Sequence, residues 1–203
     1  SLSHALDMTE GQPRGHCIRC CWIGSRLGAR LGLDARQRHD LYYTLLLKDL
    51  GCSSNAARIC ELYLTDDLHF KRDFKLVDGS LSEVVNFVLG HTGLQTDLLG
   101  RFRSLFHIFR NGDQIANELI QTRCHRVADI ARQLRFSDEV AAGILSLDEH
   151  WNGKGRPLQL AGEEIPLFSR IALLCQVVDV FHAAAGPDAA LRELRERSGS
   201  WFD

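Results

Sequence analysis

The chain has 203 residues, of which 45% are hydrophobic and 25% charged, a composition typical of one globular domain with a buried core. A net charge of −2 gives no general attraction for DNA or for an anionic membrane surface, so we expect neither as a partner. No apolar run looks long enough to cross a bilayer. Seven cysteines, an odd number without a disulfide pattern, favour reduced thiols and a cytoplasmic location. The abrupt first and last residues suggest a fragment of a longer protein.

Helical signals dominate the first quarter of the chain. A first helix is predicted near residues 15–31, and Gly32 is a typical residue at which a helix stops. Asp34 with Gln37 has the spacing of a capping box, in which each side chain bonds the other's backbone amide. These signals predict a second helix that runs to about Leu47.

The middle of the chain is also predicted to be helical. Ser80 begins one helix, and apolar residues at helical spacing over 98–109 indicate another. That helix is predicted to stop at Asn111-Gly112, a common pair at helix ends. Asp113 then begins a further long helix.

The last part of the chain carries three more helix starts. Ser137 is a suitable N-cap, and Pro166 and Pro187 are well placed to begin the final pair of helices. No region shows the period-two alternation of a strand. We therefore predict an all-α fold, a single helical domain over residues 1–203 with eight or nine helices. Residues 52–112, approximately, form a longer helical insertion in that domain.

Three segments in chain order, and a late aspartate, carry the most specific pattern. The first is His16 on a helix, and the second is residues 46–51, which contain Lys-Asp-Leu-Gly. The third is the glycine-rich stretch 148–157, continued by Glu-Glu-Ile-Pro-Leu within 162–171. The aspartate lies in Val-Asp-Val-Phe at 178–181. This order resembles the HD-GYP branch of the HD-domain phosphohydrolases over most of the chain.

The resemblance implies a metal-dependent phosphodiesterase fold. In that family, imidazoles and carboxylates from several helices converge on two or three divalent ions. The ions polarise a phosphodiester and lower the pKa of a bound water, which attacks phosphorus. The usual substrate of the family is cyclic di-GMP.

The family's ligand positions are only partly matched in this chain. His16, Asp49 and Asp179 stand at ligand positions. At the other family positions this chain has different residues. Lys48 replaces the histidine of His-Asp, Cys52 replaces the lysine that follows it, and Arg123 replaces the mid-chain histidine, with His125 two residues away. Leu147 and Asp148 replace the His-His pair, and Arg156 replaces the tyrosine of Gly-Tyr-Pro. We therefore expect at most one divalent ion (Mn, Fe or Mg). Its candidate ligands are His16, Asp49, His125, Asp148 and Asp179.

Lysine and arginine do not ligate metals as imidazole does, but they can hold a phosphate without activating a water. The substitutions therefore predict a degenerate signalling domain that binds a cyclic dinucleotide or a protein partner without hydrolysis. Its candidate catalytic positions are Asp49 and Lys48, and its candidate ligand-binding residues are Lys48, Arg123, Glu149, Trp151 and Arg156. One alternative is an active phosphohydrolase built on the altered ligand set. The other is a structural domain that forms a homodimer.

Several residues also have purely structural interpretations. Asp179 lies in an apolar helix, where an unpaired carboxylate is costly, and Lys48 is its natural partner. Glu149 is expected to accept hydrogen bonds from loop amides. The three cysteines of 17–21 are expected to pack in the core, since a zinc site needs four ligands and no second Cys-x-x-Cys exists. The phenylalanines of 102–109 are also expected to lie in the core, with a partner surface as the alternative.

Overall fold

The computed structural model describes residues 1–51, 55–64, 73, 81–93 and 98–203. Within these residues the chain forms nine α-helices and no strand beyond an isolated bridge between Ser198 and Phe202. The helices are α1 (Leu2–Thr9), α2 (His16–Arg30), α3 (Ala35–Leu47), α4 (Ala56–Tyr63), α5 (Leu81–His91), α6 (Leu98–Gln133), α7 (Asp138–Leu145), α8 (Leu167–Ala185) and α9 (Pro187–Arg197). The predicted all-α fold is confirmed.

Local capping signals fix several helix ends where the sequence placed them. The Asp34 carboxylate accepts from the Gln37 amide at 2.8 Å, and the Gln37 side chain accepts from the Asp34 amide at 3.0 Å. Ser137 Oγ accepts from the Val140 amide at 3.3 Å. Each bond satisfies an amide that has no partner inside its own helix.

The core lies around α8, which packs against α2, α3, α7 and α9. One cluster of buried side chains joins three of these helices and the segment after α7, and its members are Cys20, Cys21, Leu41, Leu45, Leu147, Phe168, Ile171, Ala172 and Cys175. Burial on several sides explains why α8 is so apolar, with a mean hydropathy of 1.5. Contrary to the sequence expectation, this helix is long and apolar enough to cross a membrane by composition alone. Half of the apolar 18-residue stretch of this helix is buried within the protein, as in the core helix of a globular domain.

Helix α6 runs without interruption through Asn111 and Gly112, so the predicted stop there is wrong. A glycine end would require a left-handed backbone, and Gly112 does not have one. Ile108 and Ile115 lie seven residues apart on one face, and both are buried. Their packing on either side of the pair outweighs the cost of about 1 kcal/mol for a glycine inside a helix.

Two phenylalanines in the middle of the chain lie at the protein surface. Phe106 and Phe109 are 58% and 49% exposed, so the prediction that they lie in the core is wrong. The described parts of the predicted insertion 52–112 contain α4, α5 and the beginning of α6. Cys52 lies outside the described residues.

Candidate functional site

The first turn of α2 is held in place by α1. Asp7 is 2% exposed, and its two oxygens accept from the amides of Gly15 at 2.6 Å and Cys17 at 2.8 Å. Gly15, the N-cap residue, has a φ of 92°, which a glycine adopts without strain. A carboxylate on the free amides of a helix start is favourable both as a cap and towards the helix dipole. This cap fixes His16, the first residue of α2.

His16 and Asp179 form a buried pair that joins α2 to α8. Nδ1 of His16 lies 2.7 Å from Oδ2 of Asp179, and the two residues are 0% and 2% exposed. Arg19, one turn along α2, donates from Nε to Oδ1 at 2.5 Å and from Nη2 to Oδ2 at 3.0 Å. Burial alone would raise the pKa of Asp179, but the hydrogen bonds from His16 and Arg19 hold it below its ordinary value. The partners of Asp179 are therefore His16 and Arg19, and the prediction that Lys48 pairs with it is wrong.

Lys48 follows the last residue of α3 and is only 1% exposed. Its ammonium group forms an ion pair with Asp49, which is 2% exposed. It also lies 3.3 Å from Nε2 of His16 and 3.2 Å from Oε1 of Gln176. Burial alone would lower the pKa of Lys48, but the nearby carboxylates of Asp49 and Glu10 raise it above its ordinary value. Lys48 is therefore a buried cation with an adjacent counter-charge.

Both ring nitrogens of His16 are engaged in this cluster. Since an ionised Asp179 can only accept, we assign the proton of His16 to Nδ1, and Nε2 then accepts from the ammonium group of Lys48. Cys20, one turn along α2, has its Sγ 3.8 Å from Nε2 of His16. We refer below to His16, Arg19, Lys48, Asp49, Gln176 and Asp179 as the buried ion cluster, in which Arg19 and Gln176 are half-buried and the other four are at most 2% exposed.

A divalent ion does not fit the buried ion cluster as it stands. Ligand atoms of His16, Cys20 and Asp179 do lie within 4.8 Å of one another, which is close enough to share an ion. However, the lone pair of His16 faces Lys48, and both oxygens of Asp179 hold Arg19. Two cations therefore occupy the positions from which an ion would draw its ligands.

The remaining predicted ligands, Asp148 and His125, are not among the side chains whose ligand atoms lie within 4.8 Å of one another in the described residues. Asp148 forms an ion pair with Arg123 and lies 3.9 Å from Sγ of Cys124. His125 is on an exposed part of α6. Of the five predicted metal ligands, His16 and Asp179 are therefore in direct contact, and Asp49 reaches them through Lys48.

The glycine-rich loop after α7 is organised by one buried carboxylate. Glu149, 2% exposed, accepts from the amides of Leu158 at 2.5 Å and Leu160 at 3.0 Å, which confirms the predicted bonds to the loop. Trp151 lies under the guanidinium of Arg170, 5.5 Å from the ring centroid. Arg156 is half-buried, and its amide donates to the carbonyl of Asp148 at 3.0 Å.

We expect His150, at the start of this loop, to make folding pH-dependent. Its ring stacks on Trp201 with centroids 4.0 Å apart, and burial, together with the charge of Arg197, lowers its pKa from 6.5 to about 4. The unfolded chain therefore binds a proton between these pH values that the folded chain does not, so stability falls as the pH drops from 6.5 to 4. The loss is up to about 3 kcal/mol.

Urea denaturation at a series of pH values checks this expectation. His150→Phe keeps the stacking ring and removes the titrating group, so its stability is expected to fall less over the same interval. Parallel pH profiles for the two proteins would contradict the role of His150.

The cysteines of α2 behave as packing residues, as predicted. Cys17, Cys20, Cys21 and Cys175 are buried free thiols. A hydrogen bond with Cys21, together with burial, raises the pKa of Cys17, and burial raises that of Cys175. Raised values keep these thiols protonated and unreactive.

Comparison with known sequences identifies the family. The sequence model of the HD domain family matches residues 103–203, from within α6 to the last residue. Residues 103–203 therefore contain an HD domain, in agreement with the resemblance to the HD-domain phosphohydrolases. It is 62% identical over all 203 residues to the 3'3'-cGAMP-specific phosphodiesterase 3 of Vibrio cholerae serotype O1.

A solved structure shows the same similarity for this HD domain. The crystal structure of the cyclic GMP-AMP specific phosphodiesterase V-cGAP3 of V. cholerae matches the whole chain with a TM-score of 0.72 and 53% identity. The chain spans 44% of the length of each of these two relatives. Both are therefore more than twice as long as the sequence described above.

These comparisons overturn the predicted function. A relative that is 62% identical over the full chain is a phosphodiesterase, so the expectation of a binding domain without hydrolysis is wrong, and the alternative of an active phosphohydrolase is favoured. The expected cyclic di-GMP is not supported either, because that relative is a 3'3'-cGAMP-specific enzyme.

Sequence reasoning missed three members or neighbours of the buried ion cluster: Arg19, Cys20 and Gln176. Arg19 and Cys20 lie three and four residues after His16, a spacing that places side chains on one helix face. That spacing was a usable signal for both. Gln176 lies three residues before Asp179 on α8, so the same helical spacing places these two side chains on one helix face.

Proposed function

We propose that the protein containing this chain hydrolyses a phosphodiester bond of a cyclic dinucleotide, with 3'3'-cGAMP as the first candidate. The observation that supports this is the 62% identity over all 203 residues to a 3'3'-cGAMP-specific phosphodiesterase. Because the chain spans 44% of that relative, the activity is proposed for the whole protein. To that protein this chain contributes a folded HD domain.

Divalent metal dependence is the expected chemistry of this activity. A bound ion polarises the phosphoryl oxygens and lowers the pKa of the attacking water. The described residues of this chain make a different contribution. They hold α2, α3 and α8 together through the buried ion cluster and fix the loop after α7 through Glu149. A cyclic nucleotide substrate and reduced, buried thiols also support a cytoplasmic location for the protein.

Hydrolysis can be tested directly with the purified protein. We expect incubation with 3'3'-cGAMP and Mn²⁺ to yield a linear dinucleotide, separated by anion-exchange chromatography, and a chelator to abolish the reaction. Cyclic di-GMP and cyclic di-AMP at equal concentration measure the preference among cyclic dinucleotides. The V. cholerae relative, assayed in parallel, is the positive control. No linear product with Mn²⁺, Fe²⁺ or Mg²⁺, while the control is active, would contradict the proposal.

A further inference from the structure

We infer that the ammonium group of Lys48 is the resident cation of the buried ion cluster and excludes a divalent ion from it. An ammonium group has three N–H donors, and three acceptors surround this one. They are Nε2 of His16 at 3.3 Å, Oε1 of Gln176 at 3.2 Å and the carboxylate of Asp49. Two of these acceptors, an imidazole nitrogen and a carboxylate, are groups that would otherwise ligate an ion.

The geometry shows why Lys48 competes with an ion for the same place. The acceptors come from α2, from the end of α3 and from α8, and they converge on Nζ of Lys48 much as ligands converge on a metal. Lys48, His16 and Asp49 are each at most 2% exposed, so there is little solvent to screen a second positive charge. An ion could bind only after the ammonium group had left, and that would break the buried ion pair between Lys48 and Asp49.

The charges within the cluster itself balance without a metal, and the buried carboxylate of Glu10 adds a further negative charge near Lys48. The cations Lys48 and Arg19 stand against the carboxylates of Asp49 and Asp179, and His16 bridges the two pairs as a neutral ring. A divalent ion would add two positive charges to this set. One consequence rests on the proposed function. Since the cluster excludes a divalent ion, the metal required for hydrolysis is held by other groups of the protein.

Metal analysis of four proteins tests the inference. After Mn²⁺ loading and desalting, we expect His16→Ala to have the same manganese content per chain as the wild type, because the cluster holds no ion. In Lys48→His, the imidazole nitrogen reaches about 2 Å less far from the backbone than the lysine nitrogen. This difference is roughly the length of one metal–nitrogen bond, so it leaves room for an ion. This variant is expected to gain about one ion per chain. The double variant His16→Ala/Lys48→His is expected to lose that gain.

Two results would overturn the inference. One is a wild-type protein that loses an ion on His16→Ala, because the cluster would then be a metal site despite Lys48. The other is a folded Lys48→His protein with no gained ion, because the ammonium group would then not be what excludes the metal. Circular dichroism establishes that each variant is folded.

A measurement on the unmodified protein covers the case in which the variants fail to fold. The buried ammonium group of Lys48 is expected to give a slowly exchanging ¹H–¹⁵N signal. Paramagnetic Mn²⁺ inside the cluster would broaden that signal beyond detection, so we expect it to stay sharp during a Mn²⁺ titration. Its loss at one equivalent would overturn the inference. These readouts are separate from hydrolysis, so an inactive protein would contradict the proposed function and leave the exclusion of metal intact.

Discussion

Lys48→Met is expected to lower the free energy of unfolding by about 3–5 kcal/mol, because it removes one charge of the buried ion pair between Lys48 and Asp49. Methionine has nearly the volume of lysine, so little of the effect would come from a cavity. Asp49 is 2% exposed, and water cannot replace the lost partner without opening the ends of α2 and α3. Urea denaturation followed by circular dichroism measures the loss.

Two control variants distinguish the effect of losing the buried ion pair from a general effect of removing a cation. Arg36→Met removes one charge of an exposed pair, in which Arg36 and Glu139 are 76% and 61% exposed and 3.9 Å apart, and no measurable change is expected. Lys48→Met/Asp49→Leu removes both charges of the buried pair and is expected to recover most of the stability lost in the single variant. A loss below about 1 kcal/mol for Lys48→Met would mean that Asp49 does not depend on the ammonium group.

The parts of the fold that sequence reasoning predicted correctly depend on local signals. The capping box of Asp34, the cap at Ser137 and the proline that begins α9 each act within four residues, so these signals can be read from the local sequence. The stop predicted at Asn111-Gly112 was also a local signal, but there Ile108 and Ile115 pack in the core and keep the helix continuous. A local capping signal therefore ends a helix only where no buried apolar residues on one helix face continue past that signal.

The candidate site shows the same limit at longer range. The sequence indicated that Asp179 needs a cation, and the structure supplies one, but from Arg19, 160 positions away, and not from Lys48. Both arginine and lysine satisfy a buried carboxylate, so charge alone does not choose between them. The choice is made by the packing of α2 against α8, which places Arg19 beside the aspartate and leaves Lys48 facing Asp49.

The error about function has a related cause. Lys48 at a family ligand position is unfavourable for a metal in this one cluster, but it does not exclude a metal held by other groups of the protein. This chain spans 44% of each relative, so the phosphodiesterase activity of those relatives is not attributed to the matched domain alone. A cation in this cluster and a phosphodiesterase activity are therefore compatible.

Gly155→Ala is expected to destabilise the domain by about 3 kcal/mol or more, because there is no room for a side chain at this buried position. A Cβ atom there would lie 2.2 Å from the amide nitrogen of His150, 2.4 Å from Cα of Glu149 and 2.6 Å from the carbonyl oxygen of Asp148. All three are backbone atoms, so no rotamer change relieves the contact. The loop would have to move away from the end of α7 and would lose its bonds to Glu149.

Gly112→Ala is the matched control, since it makes the same substitution inside α6, where a Cβ atom meets nothing within 4 Å. It is expected to raise the free energy of unfolding by about 0.5–1 kcal/mol, because alanine favours the helix. Urea denaturation of both variants shows whether each substitution lowers or raises the free energy of unfolding. Near-ultraviolet circular dichroism, to which Trp151 contributes, reports on the loop. Similar stabilities for the two variants would mean that the loop shifts without cost. A loss in Gly112→Ala would instead place a helix end at Asn111-Gly112, as the sequence alone had indicated.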